Sequence, residues 1–236
     1  MGRQWLQKKR EENAAKRGKV STKLVREITV AAKHGNPDPA FNSRLALAIE
    51  AARKGSVSSD TIQRAIKKGA GLTGEKVDLE LMTFEGFAPH QVPVIVECWS
   101  DNRNRTVPEI RVLFRDGQMG AKVGFLFNHM GIVEATHPHG GQDLESVAIE
   151  AGAQNVEPLE EFPEAGAGGR FITDRGDVDV VAKALQKAGW TVTVAELGYV
   201  AKENIELAAA QRDEVVAFLE ALDDNDDVHR VYAALK

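Results

Sequence analysis

The sequence predicts an α+β protein of three domains: an N-terminal helical bundle, a small central α/β domain and a ferredoxin-like α/β domain. Three observations carry that prediction. Apolar residues recur at helical spacing through the first 70 residues, and strand-like alternation begins only after Gly74. From about residue 132, strands and helices follow in the order βαββαβ. Charge respects the same divide. Residues 1–70 hold 16 Lys and Arg against 6 Asp and Glu, a formal +10, and the other 166 hold 14 against 29, a formal −15. The net charge of −5 therefore conceals a basic arm on an acidic body. A block of one sign is the electrostatic footprint of a surface that meets a polyanion, though solvated helix faces produce the same count.

In the helical third, Leu24, Val25, Ile28, Ala31 and Ala32 form one apolar stripe, with Ser21 or Thr22 as its cap and Gly35 past its end. The turn Gly35-Asn36-Pro37-Asp38-Pro39 leads to a second stripe at Leu45, Ala48, Ile49 and Ala52, ending before Gly55. A short third helix carries Ile62, Ala65 and Ile66 and stops at Gly69. Residues 3–19 have little apolar periodicity beyond Trp5 and Leu6 and are expected to stay mobile until an anion orders them. Gly69-Ala70-Gly71-Leu72-Thr73-Gly74 reads as a linker.

Beyond it, Val92, Val94, Val96 and Cys98 alternate as a strand with one face on a core. Val107, Ile110, Leu113 and Phe114 give a helix, and Val123, Phe125 and Phe127 a further strand. The βαββαβ unit follows. Its strands lie near 132–135, 156–159, 170–173 and 191–197. Its helices carry Leu144, Val147, Ala148 and Ala151 up to Gly152, then Val178, Val181, Ala182, Leu185 and Ala188 up to Gly189. An acidic helix with Val215, Phe218, Leu219 and Leu222 and a strand over 229–233 close the chain.

Composition and motifs narrow the function classes. With 43% apolar and 28% charged residues and no run of apolar residues long enough to span a bilayer, no membrane partner is expected. The stretch Met1-Gly2-Arg3-Gln4-Trp5-Leu6-Gln7-Lys8-Lys9-Arg10 lacks the apolar segment of a signal peptide. The single Cys98 excludes an internal disulfide and a thiolate zinc cluster and points to the cytoplasm. Gly69-Ala70-Gly71-Leu72-Thr73-Gly74-Glu75-Lys76 has Glu75 where a P-loop needs Lys, and it follows a helix instead of a strand. His137-Pro138-His139 reads as a surface turn, and Asp223-Asp224-Asn225-Asp226-Asp227 as a solvated acidic turn lacking the glycine and glutamate of a calcium loop. Cys98 reads as a small buried hydrophobe. No Ser–His–Asp set or carboxylate pair stands out, so a protein without catalytic activity, metal or cofactor is expected.

The candidate binding residues are cationic. The arm supplies Lys8, Lys9, Arg10, Lys16, Arg17, Lys19, Lys23 and Arg26, with Trp5 as a stacking platform. Arg64, Lys67 and Lys68 form a second cluster, whose place in a last helical turn also suits the helix dipole. In Asp101-Asn102-Arg103-Asn104-Arg105-Thr106-Val107-Pro108-Glu109, Thr106 and Glu109 read as a capping box and Pro108 as a first-turn proline. Arg103 and Arg105 then oppose the positive end of the dipole, at a cost of ~0.3–1 kcal/mol each. Two uses offset that cost: an anion docked on the helix N-terminus, or salt bridges to the acidic C-terminal region.

Several strings resemble the YebC family. They are Lys16-Arg17-Gly18-Lys19, the run over 22–33, Asn36-Pro37-Asp38-Pro39, Arg64-Ala65-Ile66-Lys67-Lys68-Gly69, Phe84-Glu85-Gly86-Phe87, the segment 97–106 and Leu222-Asp223-Asp224-Asn225-Asp226-Asp227-Val228. The resemblance runs nearly end to end. It implies domains at 1–75, at 78–130 joined by about 206–236, and at 131–205. It also implies a nucleic-acid-binding regulator of gene expression: a ribosome-associated translation factor that contacts rRNA or tRNA phosphates and relieves stalling, or a DNA-binding transcriptional regulator. A protein–protein adaptor using the basic arm is the remaining alternative. No catalytic residue or cofactor is implied. The chain departs from the family at Gly2-Arg3-Gln4-Trp5, at Ala88-Pro89-His90-Gln91 in place of a Gly-Pro-Gly-Gly loop, and in a shortened glycine-rich segment over 117–124. Fewer glycines leave fewer places where backbone approaches a ligand closely.

Overall fold

A computed structural model describes the backbone of residues 4–74, 78–159 and 166–236, with side chains at 18 and from 20 onward within those spans. The chain forms two compact units: Met1–Gln91 with Val96–Ala121 and Ala208–Val231, and Val92–Ile95 with Lys122–Leu207 and Tyr232–Lys236. Among the described residues no helix is long and apolar enough to cross a membrane. The architecture is α+β, as the sequence predicts.

The first unit begins with α1 (Gln4–His34), α2 (Ser43–Lys54) and α3 (Ser59–Gly69). The expected stripes meet in one core of Ile28, Ala31, Leu45, Ile49, Ala52, Ile62, Ala65 and Ile66, with Leu24 and Val25 packed against it. Asn42 sets the α1–α2 corner. Its side-chain oxygen accepts from Leu45 N at 3.0 Å to cap α2, and its Nδ2 donates to Ala31 O and Asn36 O at 2.9 and 2.8 Å. Ser58 caps α3 by accepting from Thr61 N.

Two expectations for this region fail. The backbone of residues 4–19 is helical and continuous with α1, so Ser21 and Thr22 sit in mid-helix instead of capping it. The Ala, Lys, Arg, Glu and Gln of that stretch are strong helix formers, and propensity needs no apolar stripe. Thr22 donates its hydroxyl to Gly18 O within the helix. α3 stops at Gly69 as expected, but that glycine, also read as the start of a linker, is buried.

The same unit carries β1 (Glu80–Phe87), α4 (Arg103–Leu113), β3 (Gln118–Met119) and α7 (Ala209–Asp223), with residues 96–100 of β2 (Pro93–Ser100) and 228–231 of β8 (Val228–Ala233). The strands order as β3-β1-β2-β8. Every residue of β2 is buried, so the strand read as one-faced has both faces covered. Phe114 and Phe218 pack edge-to-face at 5.3 Å. His90 and Gln91 hold φ of 59° and 61°, a left-handed backbone that costs a non-glycine residue about 1–2 kcal/mol. The His90 ring lies 2.8 Å from Glu214 Oε2, a contact that helps hold this path.

The second unit holds β4 (Phe127–His137), α5 (Leu144–Ala151), β5 (Asn155–Pro158), β6 (Ala167–Thr173), α6 (Val178–Lys187) and β7 (Thr191–Ala201). Its sheet runs β5-β6-β4-β7 with antiparallel neighbours, the ferredoxin-like arrangement expected. Val133, Ala135, Phe171, Val181, Leu185 and Trp190 are buried, and Gly152 and Gly189 end their helices at φ 81° and 88°. The strand expected over 123–127 is instead a single 3-10 turn at Gly124–Leu126, which leaves Phe125 69% exposed before β4 starts. Gly124 interrupts the alternation there.

Two glycines in helices give opposite predictions. A Cβ on Gly69 would sit 2.3 Å from Thr29 O and 2.8 Å from Ala32 Cβ, whereas one on Gly18 meets nothing within 4 Å. Gly18→Ala is expected to raise stability by about 0.5–1 kcal/mol, and Gly69→Ala to lower it by about 1–3 kcal/mol through forced separation of α1 and α3. Denaturant unfolding of both variants checks the sign.

Candidate nucleic-acid interface

The site lies in the first unit and is built by α1, α3, the N-terminus of α4 and the acidic turn after α7. On α1, Lys23 and Arg26 are three residues apart and share a face. Asn102 starts α4: its side chain accepts from Arg105 N at 3.2 Å, while its own N–H donates to Ser100 Oγ at 3.0 Å. Thr106 is therefore not the cap expected of it, and Pro108 falls inside the helix instead of in its first turn. With the cap at Asn102, four residues earlier, Arg103, Asn104 and Arg105 form the first turn and Thr106 is turned inward, where it is fully buried.

Thr106 points at Asp227. Its Oγ1 donates to Asp227 Oδ2 at 2.6 Å and lies 2.7 Å from Ser100 Oγ. Arg105 Nη2 donates to both carboxylate oxygens of Asp227, at 2.9 and 3.1 Å, and Arg26 Nη1 stands 3.1 Å from Oδ1. Asp227 is 3% exposed. A buried carboxylate is tolerable only when paired and hydrogen-bonded, and this one has two guanidinium groups and a hydroxyl. Burial pushes the carboxyl up, but Thr106, Arg105 and Arg26 together outweigh it and hold the group below its ordinary value. Around it, Arg26 donates to Asp226 O, Lys23 to Asp223 O, and Lys23 Nζ lies 3.6 Å from Asp223 Oδ1. A second junction of the same kind joins α1 to α2 and β8. Glu27 meets Arg44 Nε at 3.0 Å and His229 Nδ1 at 3.1 Å.

The turn at 223–227 is thus not simply solvated. Asp223, Asp224 and Asp226 are exposed, while Asp227 is the buried anchor. Of the two uses open to Arg105, the ion pair to the acidic C-terminal region is the one observed. Lys23 and Arg26 are engaged in the same way.

Other cations face outward. Arg103 and Lys67 are exposed, and neither makes an ion pair among the described residues. Arg64 reaches only the exposed Asp60 one turn back, at 3.3 Å, a contact of little energy. Arg64 and Lys68 of α3 join Arg26 of α1 around one cleft of about 600 Å³, so three of the predicted site residues converge. Trp5, Lys8, Lys9, Arg10, Lys16, Arg17 and Lys19 have side chains outside the described residues; their backbone belongs to α1. Sequence reasoning missed Asp227, Ser100 and Glu27 as partners, and Thr106 in its buried role. The one available signal was a threonine four residues after a good cap residue, which a helix turns toward the core.

Comparison with known proteins agrees across the whole chain. The family described as "TACO1/YebC protein N-terminal domain" matches residues 2–72, and that described as "TACO1/YebC second and third domain" matches residues 79–235. A "Probable transcriptional regulatory protein" of Pseudomonas syringae pv. syringae is 51% identical over 238 residues, covering 100% of this chain and 99% of its own. A relative of the same description from Bdellovibrio bacteriovorus is 47% identical over 100% of both chains. The crystal structure of a conserved hypothetical protein from Aquifex aeolicus superposes with a TM-score of 0.82 at 36% identity, covering 94% of this chain and 91% of that one.

Asp227→Asn is expected to lower the unfolding free energy by about 2 kcal/mol at neutral pH, the scale of hydrogen bonds to a charged group. Arg26 and Arg105 retain access to water, which keeps the loss below that of a fully buried pair. A carboxyl whose native value lies below its unfolded value of about 3.9 stabilises the fold above that value and loses the contribution as pH falls through the native one. The stability difference between wild type and variant is therefore expected to be constant from about pH 5 to 7 and to close below about pH 4, as read from thermal unfolding across pH.

Proposed function

The chain belongs to the TACO1/YebC family, and on that premise we propose that it is a nucleic-acid-binding regulator of gene expression that docks on RNA phosphates at the ribosome and catalyses no reaction. The observation that carries the reading is the division among its cations. Lys23, Arg26 and Arg105 are consumed in holding the acidic turn, whereas Arg103 at the N-terminus of α4 and Lys67 on α3 are exposed without an ion pair among the described residues. A cation at a helix N-terminus opposes the helix dipole unless an anion joins it, and free N–H groups there add to phosphate binding. Residues 1–70 carry a formal charge of +10, which favours the same class of partner.

The translational role rests on the family resemblance of the motifs, together with exposed cations that offer phosphate contacts. The relatives' description as probable transcriptional regulatory proteins favours a second reading, in which the same cations meet duplex DNA. Competition separates the two. Ribosome co-sedimentation that falls with rising salt, resists excess duplex DNA and is weakened by Arg103→Glu with Lys67→Glu is the expected result. Loss of about two phosphate contacts in that double variant should reduce the slope of log affinity against log salt by about 1.5. Tight duplex binding with no ribosomal co-migration at low salt would replace the translational reading with the transcriptional one.

A further inference from the structure

The cleft between α1 and α3 is lined by two chemistries that one simple anion cannot satisfy. Arg64 and Lys68 supply positive charge, beside the Arg26 that holds Asp227. Beside them the cleft is lined with acceptors. Thr22 Oγ1 already donates to Gly18 O and Thr29 Oγ1 to Val25 O, each at 3.0 Å. A hydroxyl has one proton to give, so both offer a ligand only lone pairs. Asp78 and Asp101, also in the lining, are acceptors when ionised. A bare polyanion offers no donors to these two hydroxyls and two carboxylates, of which Asp101 also lies 3.4 Å from Arg105 Nη2. A ligand that carries phosphate together with several N–H and O–H donors meets both halves of the lining, and the walls formed by Val25, Ala65 and Leu79 suit the flat face of a base.

We propose that this cleft is a ribonucleotide pocket, which takes one unstacked nucleotide of a single-stranded RNA. The phosphate lies toward Arg64 and Lys68, and the base amino groups and ribose hydroxyls donate to the threonine and aspartate oxygens. Its volume of about 600 Å³ falls within the range of small-ligand sites and admits a single nucleotide but no duplex. The 2′-hydroxyl adds a donor that DNA lacks, so the pocket prefers RNA. This role deepens the nucleic-acid reading and stands on it.

The test is fluorescence anisotropy on the full chain with three probes: a short single-stranded oligoribonucleotide, the deoxy oligomer of the same sequence, and inorganic polyphosphate, which has charge but neither base nor sugar. Thr22→Trp and Thr61→Trp fill the cleft from opposite walls without altering charge. Thr22 is exposed on α1, so its variant keeps the test valid if Thr61→Trp fails to fold. The expected result is a loss of about tenfold in RNA affinity, unchanged polyphosphate binding, and a wild-type preference for RNA over DNA that the variants lose. Unchanged RNA affinity in Thr22→Trp, or equal weakening of RNA and polyphosphate, overturns the pocket while leaving the phosphate-binding reading standing. Wild-type protein that binds neither RNA nor polyphosphate overturns both.

Discussion

The burial of one carboxylate organises the first unit. Asp227 comes from the turn that ends α7, Arg105 and Thr106 from the first turns of α4, and Arg26 from the middle of α1. Three segments far apart in sequence are thereby required to meet at one point, because a desolvated carboxylate without partners costs several kcal/mol. Trp99 N donates to the backbone carbonyl of the same Asp227, which ties the end of β2 into the junction as well. Glu27, with Arg44 and His229, repeats the device on the adjacent face of α1.

This arrangement sorts the cations by role. A guanidinium that neutralises a buried carboxylate is part of the scaffold, and removing it leaves an uncompensated charge. A guanidinium or ammonium in solvent beside a helix N-terminus or along a helix face contributes almost nothing to folding and is available to a phosphate. Arg105 and Arg103 sit two residues apart on α4 and fall on opposite sides of that line. Gross charge counting treats them alike. Helical geometry separates them: the capping register set by Asn102 turns one toward Asp227 and the other toward water.

The periodic parts of the fold were legible from the residues. The stripes of α2, α3, α5 and α6, the glycines that end α5 and α6, and the βαββαβ order of the second unit follow from apolar spacing and helix stops. The start of α1 was not legible, because Gln4 to Lys19 is held helical by propensity without a stripe to announce it. β1 and β3 escaped the residue reading for a different reason: β1 has a mixed burial pattern and β3 is two residues long. The candidate site was half visible. Its cations were identifiable as a class, but an Asp-Asp-Asn-Asp-Asp string looks solvated throughout, and nothing local reveals that its last residue pairs with an arginine 122 positions earlier.

The central claim is that cations held by Asp227 build the fold while unpaired neighbours bind RNA. The most direct measurement is the salt dependence of RNA affinity for Arg103→Ala and Arg105→Ala, each normalised to the folded fraction from thermal unfolding. The account predicts a shallower salt slope with unchanged stability for Arg103→Ala, and lower stability with an unchanged slope for Arg105→Ala. Equal changes in slope for the two variants, or a shallower slope for Arg105→Ala alone, would contradict it.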